Sequence, residues 1–168
     1  MATDAYDAAT PEGIMHGRGL AFFLAHYEEH KLDNTCAYPG VAATLARLNG
    51  MPMAVLTNKP VHISVRILEG LGLAKYFRLI YGGNSFETKK PDPMGANTIL
   101  SELGVRAKDA MIVGDSDVDT QTARNANTLA ALVTYGFGNF DRAAYPADIY
   151  FERFEDLGSL FAGASSPK

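Results

Sequence analysis

An apolar run that ends in a cluster of carboxylates constrains the fold of this chain more than any other feature. Residues 110–113 are apolar, Gly114 follows them, and three aspartates come within the next five positions, of which Asp115 and Asp119 are four apart. This order is typical of a parallel strand that passes through a short loop into a helix, and open α/β sheets bind ligands beyond the carboxyl ends of such strands. If the helix begins near Ser116, the spacing of four places both aspartates at the same mouth.

The acidic stretch has two interpretations. Crowded carboxylates repel one another unless a cation lies between them, and hard oxygen ligands suit Mg²⁺. Acidic residues in the first turn of a helix also stabilise that helix through its dipole, without any ligand. The stretch by itself is compatible with both interpretations, so other polar clusters have to decide between them.

Apolar segments with helical and strand-like spacing alternate along the chain. We predict helices over 11–32, 41–48, 61–71, 94–103, 118–126 and 155–161, and strands over 53–56, 78–81, 110–113, 129–133 and 148–150. Strands that alternate with helices of about ten residues form a parallel sheet with right-handed crossovers. The predicted fold class is therefore α/β, with a Rossmann-like parallel sheet flanked by helices.

The chain is predicted to have two parts of unequal size. Residues 1–37 comprise a small, polar start, which we expect to be disordered, and one amphipathic helix. Residues 38–168 contain every predicted strand and are expected to form the core. The total of 168 residues is the size of one ordinary domain.

Composition excludes several classes of function. The net charge of −4 argues against a nucleic-acid surface, which needs a basic patch. No apolar run reaches the roughly 20 residues of a membrane helix, and no signal peptide is visible. A single cysteine, Cys36, cannot form an internal disulfide, which fits a reducing compartment. We therefore expect a cytoplasmic protein without nucleic-acid or membrane partners.

Two more polar clusters lie where they could reach the acidic stretch. Thr57 and Asn58 follow the strand 53–56, where a hydroxyl and backbone N–H groups can hold a phosphate, although such a threonine is also an ordinary helix cap. Lys90 precedes Pro91 in a polar loop, although most lysines are simply exposed. A phosphate cradle, a lysine and an acidic cation site together are what phosphoryl transfer requires.

These clusters also carry a family resemblance. In this order, Thr57, Lys90–Pro91 and Gly114–Asp119 resemble motifs II, III and IV of the haloacid dehalogenase-like hydrolases. Five further phrases resemble the bacterial phosphoglycolate phosphatase branch of that family: residues 54–60, 81–83, 89–93, 133–136 and 147–150. The similarity runs from about residue 11 to residue 162.

The resemblance implies a role for each matched residue. Thr57 and the backbone of Asn58 would bind the transferring phosphoryl group, and Lys90 would bridge that group and the nucleophile. Asp115 would ligate Mg²⁺, and Asp119 would complete the metal site by orienting the metal's waters or Lys90. An acid at position 115 is typical of the phosphatases, whereas the related dehalogenases need no metal, so dehalogenation is disfavoured.

The implied activity is Mg²⁺-dependent hydrolysis of a small phosphomonoester, most like 2-phosphoglycolate, to glycolate and phosphate through an aspartyl-phosphate. Sugar phosphates remain alternatives, because the family's cap contributes much of the selectivity and the helix 11–32 resembles only the last part of that cap. The oligomeric state is not predicted.

The chain departs from the family at its start. Members open with an apolar strand and Asp-x-Asp-Gly-Thr, whose first aspartate is the nucleophile; here the only early aspartates, Asp4 and Asp7, have a different spacing and no preceding strand. The resemblance places the missing strand at the centre of the sheet, between the strands 53–56 and 110–113. We expect these two strands either to pair directly or to leave the chain marginally stable, because unpaired backbone groups are costly.

Three hypotheses follow from this departure. The chain is an incomplete phosphatase, inactive as it stands because the nucleophile is absent; or it is a non-catalytic remnant that binds Mg²⁺ and phosphate or a protein partner; or a separate polypeptide supplies the missing strand.

Weaker signals receive structural interpretations. His26 and His30 fit the spacing of a zinc-protease motif but are expected on the solvated face of a helix. Cys36 is expected to be a small apolar filler, and Asn84 to be inconsequential. The segment 134–136 follows a strand and could lie near the site or form a structural turn.

Overall fold

A computed structural model of the chain describes residues 35–136, 138 and 140–161. The chain divides into two compact units, Met1–Cys36 and Ala37–Lys168, and all helices and strands of the described residues belong to the second. The predictions for the disordered start, for the helix 11–32, for Asp4 and Asp7, and for the histidine pair lie outside the described residues.

The predicted alternation of strands and helices is confirmed. The helices are α1 (Val41–Arg47), α2 (Val61–Gly70), α3 (Met94–Leu103), α4 (Asp117–Asn125) and α5 (Glu155–Leu160), and the strands are β1 (Ala54–Leu56), β2 (Leu79–Tyr81), β3 (Met111–Gly114), β4 (Leu129–Val133) and β5 (Ile149–Phe151). Each end differs from its prediction by one residue at most. Within these ranges, no helix has the length and apolar character needed to cross a membrane.

Local sequence explains several of these boundaries. Asn127 follows α4 with a left-handed φ of 56°, as expected of an asparagine in the place of a capping glycine. Ser116 and Asp119 form a reciprocal capping box at the start of α4, in which each side chain accepts a backbone N–H of the other residue. The acidic first turn of α4 therefore has a structural role as well as any binding role.

The five strands form two parallel sheets. β1 pairs with β2, with Val55 opposite Ile80, and β4 lies between β3 and β5, with Ala131 opposite both Val113 and Ile149. All pairings are parallel, which confirms the α/β fold class.

The strands β1 and β3 do not pair with each other. Among the described residues β1 pairs only with β2, and β3 only with β4, so direct pairing does not close the predicted gap. Exposure follows this pattern, because Leu132 of the doubly flanked β4 is 0% exposed whereas Val113 of β3 is 37% exposed. One edge of β1 and one edge of β3 are therefore without a strand partner in this part of the chain.

An apolar cluster joins the sheet of β3, β4 and β5 to the residue that precedes β1. Leu48, Ala131, Phe151 and Leu157 form this cluster, and Met53 and Met111 pack against it. The helices α1 and α5 contact each other, and Leu48 and Leu157 of this cluster come from the end of α1 and from α5.

Candidate active site

An open cleft of about 430 Å³ lies at the carboxyl ends of β1 and β3. Its lining comprises Thr57, Asn58, Lys59, Lys90, Asp115, Ser116, Val118 and Asp119. The fold thus brings together in one cleft all five residues for which the sequence predicted a functional role. They come from the end of β1, from the loop before α3, from the turn between β3 and α4 and, for Asp119, from the first turn of α4.

The first wall of the cleft is the turn after β1. The backbone N–H of Thr57 donates to the carbonyl of Tyr81, which extends the pairing of β1 with β2 by one residue. The Thr57 hydroxyl oxygen accepts the N–H of Lys59 at 3.2 Å. A hydroxyl that accepts one hydrogen bond still has a proton to donate, so Thr57 retains the capacity to bind an anion oxygen.

Asn84 caps the helix that follows this wall. Its side-chain Oδ1 accepts the backbone N–H of Val61, the first residue of α2, at 2.8 Å. The expectation that Asn84 is inconsequential is therefore wrong, since it satisfies a donor that the start of a helix leaves without an internal partner. The Val61 N–H is correspondingly not available to a phosphate.

Lys90 reaches across the cleft to Asp119. Its Nζ lies 2.6 Å from Oδ1 of Asp119, and the two side chains are only 15% and 9% exposed. The other carboxylate oxygen of Asp119 accepts the backbone N–H groups of Asp115 and Ser116, at 3.1 and 3.2 Å, and the Ser116 hydroxyl at 2.8 Å. Asp119 therefore fixes both the lysine and the turn that presents Asp115.

The environment of Asp119 favours its charged form. Burial alone would raise the pKa of this carboxyl, but the Lys90 charge and the hydrogen bonds from Lys90, Ser116 and the Asp115 backbone together outweigh it and lower the pKa below its ordinary value. The carboxylate is thus ionised at neutral pH, and so the lysine keeps its partner.

A loop after β4 holds the Asp115 side chain from the side. The backbone N–H of Gly138 donates to Oδ2 of Asp115 at 3.2 Å, and the N–H of Asp141 donates to Oδ1 of Asp117 at 2.9 Å. A Cβ at Gly136 would collide with the Asp115 side chain, so the loop needs glycine there for its close approach. Of the two interpretations left open for the segment 134–136, the structure favours the one near the site.

The donor set can be compared with what Mg²⁺ requires. Across the described ranges, no three side chains of His, Cys, Asp or Glu lie close enough together to share one ion. Mg²⁺, however, keeps several waters and is usually bound by one or two carboxylates together with substrate phosphate. Asp115, at the mouth of the cleft, fits such a site as a protein ligand, whereas both oxygens of Asp119 are engaged by protein donors.

Two other features of the site region differ from what the sequence indicated. Cys36 is exposed, so its interpretation as an apolar filler is wrong. The Asn58 side chain forms hydrogen bonds with the backbone of Lys90, 32 residues away, in addition to the role expected of its own backbone. No local pattern in the sequence signals this second contact.

Comparison with known proteins gives consistent results. The family model of the haloacid dehalogenase-like hydrolases matches residues 3–133. A phosphoglycolate phosphatase of Rhodospirillum rubrum is 38% identical over 159 residues, an alignment that covers 94% of this chain and 64% of the relative. A phosphoglycolate phosphatase of Chromobacterium violaceum is 34% identical over 154 residues, with 90% and 68% covered. The chain thus spans about two thirds of the length of these relatives.

Solved structures show the same fold. The structure of a predicted phosphoglycolate phosphatase from Haemophilus somnus superimposes with a TM-score of 0.81 at 30% identity, covering 90% of this chain and 68% of the other. That of a putative phosphoglycolate phosphatase from Lactobacillus delbrueckii gives a TM-score of 0.77 at 28% identity, with 93% and 65% covered.

Proposed function

Because the chain belongs to the haloacid dehalogenase-like hydrolases, we propose that it carries the phosphate- and cation-binding part of a phosphomonoester hydrolase site. The observation that supports this proposal is the convergence of Thr57, Lys90 and Asp115 on one open cleft. A hydroxyl donor, an ammonium group and a carboxylate for a cation are the groups that bind and neutralise a phosphoryl group.

Each residue has a distinct task in this proposal. The Thr57 hydroxyl and the Asn58 backbone bind phosphoryl oxygens, and Lys90 supplies positive charge from the opposite side. Asp119 holds Lys90 by an ion pair and directs it along the cleft. Asp115 would hold Mg²⁺, which would supply further charge neutralisation for the phosphoryl group.

The proposed substrate is a small phosphate ester, and 2-phosphoglycolate is our first choice. Support comes from the relatives, since the proteins from Rhodospirillum rubrum and Chromobacterium violaceum both bear the name phosphoglycolate phosphatase. The products would be glycolate and inorganic phosphate. The reaction would pass through an aspartyl-phosphate, which requires a carboxylate nucleophile.

We propose that this chain alone does not turn over substrate. In the described part of the chain, the carboxylates that line the cleft are Asp115 and Asp119. Asp119 is paired with Lys90, and Asp115 accepts a hydrogen bond from the loop after β4. Neither is therefore placed as a nucleophile, and the site needs a further carboxylate to react.

A second candidate is a non-catalytic module that binds phosphate and Mg²⁺ or a protein partner. The observation that favours it is the pair of strand edges, on β1 and β3, that lack a partner strand within the described residues. An extended segment of another polypeptide could pair with such edges through its backbone.

Phosphate release and phosphate binding together test the proposal. The 168-residue chain would be assayed with Mg²⁺ on p-nitrophenyl phosphate and 2-phosphoglycolate, with an Asp115→Ala variant in parallel. Binding of inorganic phosphate would be measured by calorimetry for the wild type and Lys90→Met. We expect no turnover and phosphate binding that depends on Lys90.

Two other outcomes would overturn different parts of the proposal. Turnover that Asp115→Ala abolishes would show that the chain contains a nucleophile and would overturn the proposed inactivity. Absence of phosphate binding by the folded wild type would overturn the proposed site itself, and a partner screen on the β1 and β3 edges would then follow.

A further inference from the structure

The backbone at Lys90 is held by a reciprocal pair of hydrogen bonds from one side chain. The Asn58 side chain donates from Nδ2 to the Lys90 carbonyl at 3.0 Å, and its Oδ1 accepts the Lys90 N–H, also at 3.0 Å. The carboxamide of Asn58 thus bonds both the N–H and the carbonyl of Lys90, as the backbone of a neighbouring strand would. The orientation of the peptide groups on both sides of the Lys90 Cα is thereby fixed.

A second asparagine holds the next residue from the opposite wall. Asn125, the last residue of α4, donates from Nδ2 to the Pro91 carbonyl at 2.8 Å. The same helix carries Asp119, which pairs with the Lys90 ammonium. The segment 90–91 is therefore attached to the turn after β1 through Asn58 and to α4 through Asn125.

The position of Asn58 is itself set by the fold. Its carbonyl oxygen lies so close to Gly83 that a Cβ at position 83 would collide with it. The N–H of Gly83 also donates to the carbonyl of Lys59 at 2.7 Å. Asn58 thus extends from a turn packed tightly against the loop after β2, although its own side chain is exposed.

Lysine has a long side chain with many rotamers, so an ammonium group is placed accurately only if both ends of the side chain are fixed. Asp119 fixes the ammonium end. Without the two asparagines the Cα end would depend on the loop 84–93, which contains no helix or strand. Fixing both ends reduces the conformations that must be lost when an anion binds.

We propose that the side chains of Asn58 and Asn125 are positioning residues for Lys90, holding its backbone so that its ammonium group meets both Asp119 and the ligand in the cleft. This inference rests on the proposed function in one respect, namely that Lys90 is the cation that contacts the phosphoryl group. The hydrogen bonds themselves do not depend on the identity of the ligand.

The test compares the reactivity of individual lysine amines in the full-length chain. Limited acylation with acetic anhydride, followed by peptide mass spectrometry, gives the rate at Lys90 relative to exposed Lys108. We expect Asn58→Ala and Asn125→Ala each to raise this ratio about fivefold. The loss of a hydrogen bond to the backbone of residues 90–91 loosens the ion pair between Lys90 and Asp119, and the amine becomes more accessible. Asn97→Ala, an exposed asparagine in α3, is the matched control and should leave the ratio unchanged.

Urea denaturation of each variant separates positioning from general destabilisation. Partial unfolding raises the ratio only in a variant whose unfolded fraction has increased, because Lys108 is already exposed, whereas loss of positioning raises it in a variant that is fully folded. An unchanged ratio in a folded Asn58→Ala variant would overturn the inference. If that variant does not fold, Asn58→Asp takes its place, since it keeps the acceptor for the Lys90 N–H but loses the donor, and the same ratio decides.

Inorganic phosphate added to the wild type separates this inference from the proposed function. Protection of Lys90 from acylation by phosphate supports the proposed site. Absence of protection would overturn the site, while the ratios among the asparagine variants would still decide whether the lysine is positioned as inferred.

Discussion

Lys90 and Asp119 form an ion pair of 2.6 Å across 29 residues of sequence, and the second oxygen of the same aspartate caps the helix that follows β3. One carboxylate therefore serves the cleft and the fold at once. A change at Asp119 therefore alters both the position of the Lys90 ammonium group and the turn that carries Asp115.

Replacing Asp119 by asparagine should destabilise the protein measurably. The variant keeps the shape of the side chain but leaves the Lys90 ammonium, whose side chain is 15% exposed, without its counter-charge. We expect a loss of about 1–3 kcal/mol in the free energy of unfolding, measured by urea denaturation. Asp156→Asn is the matched control, because its pair with Arg153 is exposed and should contribute less than about 1 kcal/mol. Equal losses in both variants would contradict this prediction.

The contribution of Asp119 to the free energy of unfolding should decrease as the pH falls. Its pKa is lowered in the folded protein, so the unfolded chain binds a proton more readily than the folded one. The stabilisation is fully present above the unfolded pKa of about 4 and is lost as the pH falls through the lower folded value. The difference in unfolding free energy between wild type and Asp119→Asn should therefore shrink on acidification below about pH 4. If the difference in unfolding free energy between wild type and Asp119→Asn grew on acidification, the prediction would be contradicted.

Gly136→Ala should weaken the proposed cation site. The added methyl group would collide with the Asp115 side chain, so the carboxylate must move. We expect the affinity for Mn²⁺, used as a probe for Mg²⁺ and measured by electron paramagnetic resonance, to fall roughly 10- to 100-fold, the range for partners that orient metal ligands. Gly158→Ala is the control, since its Cβ would meet mainly the flexible end of Arg47. Equal affinity in Gly136→Ala and wild type would show that the loop does not orient Asp115.

Hydrogen exchange should distinguish the strands. β4 has a partner on both edges, whereas β1 and β3 have one each among the described residues. The amides of 130–132 should therefore exchange more slowly than those of 54–56 and 111–113, because strands with an open edge unfold locally at lower cost. Strong and equal protection of all three strands would mean that the open edges do not weaken the fold.

Local sequence patterns were sufficient for most of the fold and for the lining of the cleft. Thr57, Lys90 and Asp115 could be identified because each belongs to a polar cluster that follows a strand or precedes a helix, and parallel strands bring such ends together. The absence of a central strand indicated that β1 and β3 would either pair directly or leave the chain marginally stable. The alternative of direct pairing between β1 and β3 was not borne out in the described residues.

Contacts between residues distant in sequence could not be predicted in this way. Asn84 caps α2 from 23 residues away, and the Gly138 N–H reaches Asp115 across the same separation. Such bonds depend on how loops pack after the sheet has formed, and the residue types involved are common in any turn. For Cys36, the frequent burial of free cysteine was a poor guide, because the residue lies in an exposed segment before α1.

The two sheets are joined at opposite ends of their strands by contacts of different physical origin. At the amino ends, Met53 and Met111 pack against the apolar cluster, and at the carboxyl ends Lys90 meets Asp119. Apolar contacts are insensitive to charge, whereas an ion pair responds to protons and to competing anions. An anion in the cleft therefore competes with Asp119 for Lys90 at the carboxyl ends, whereas the apolar contacts at the amino ends are unaffected by it.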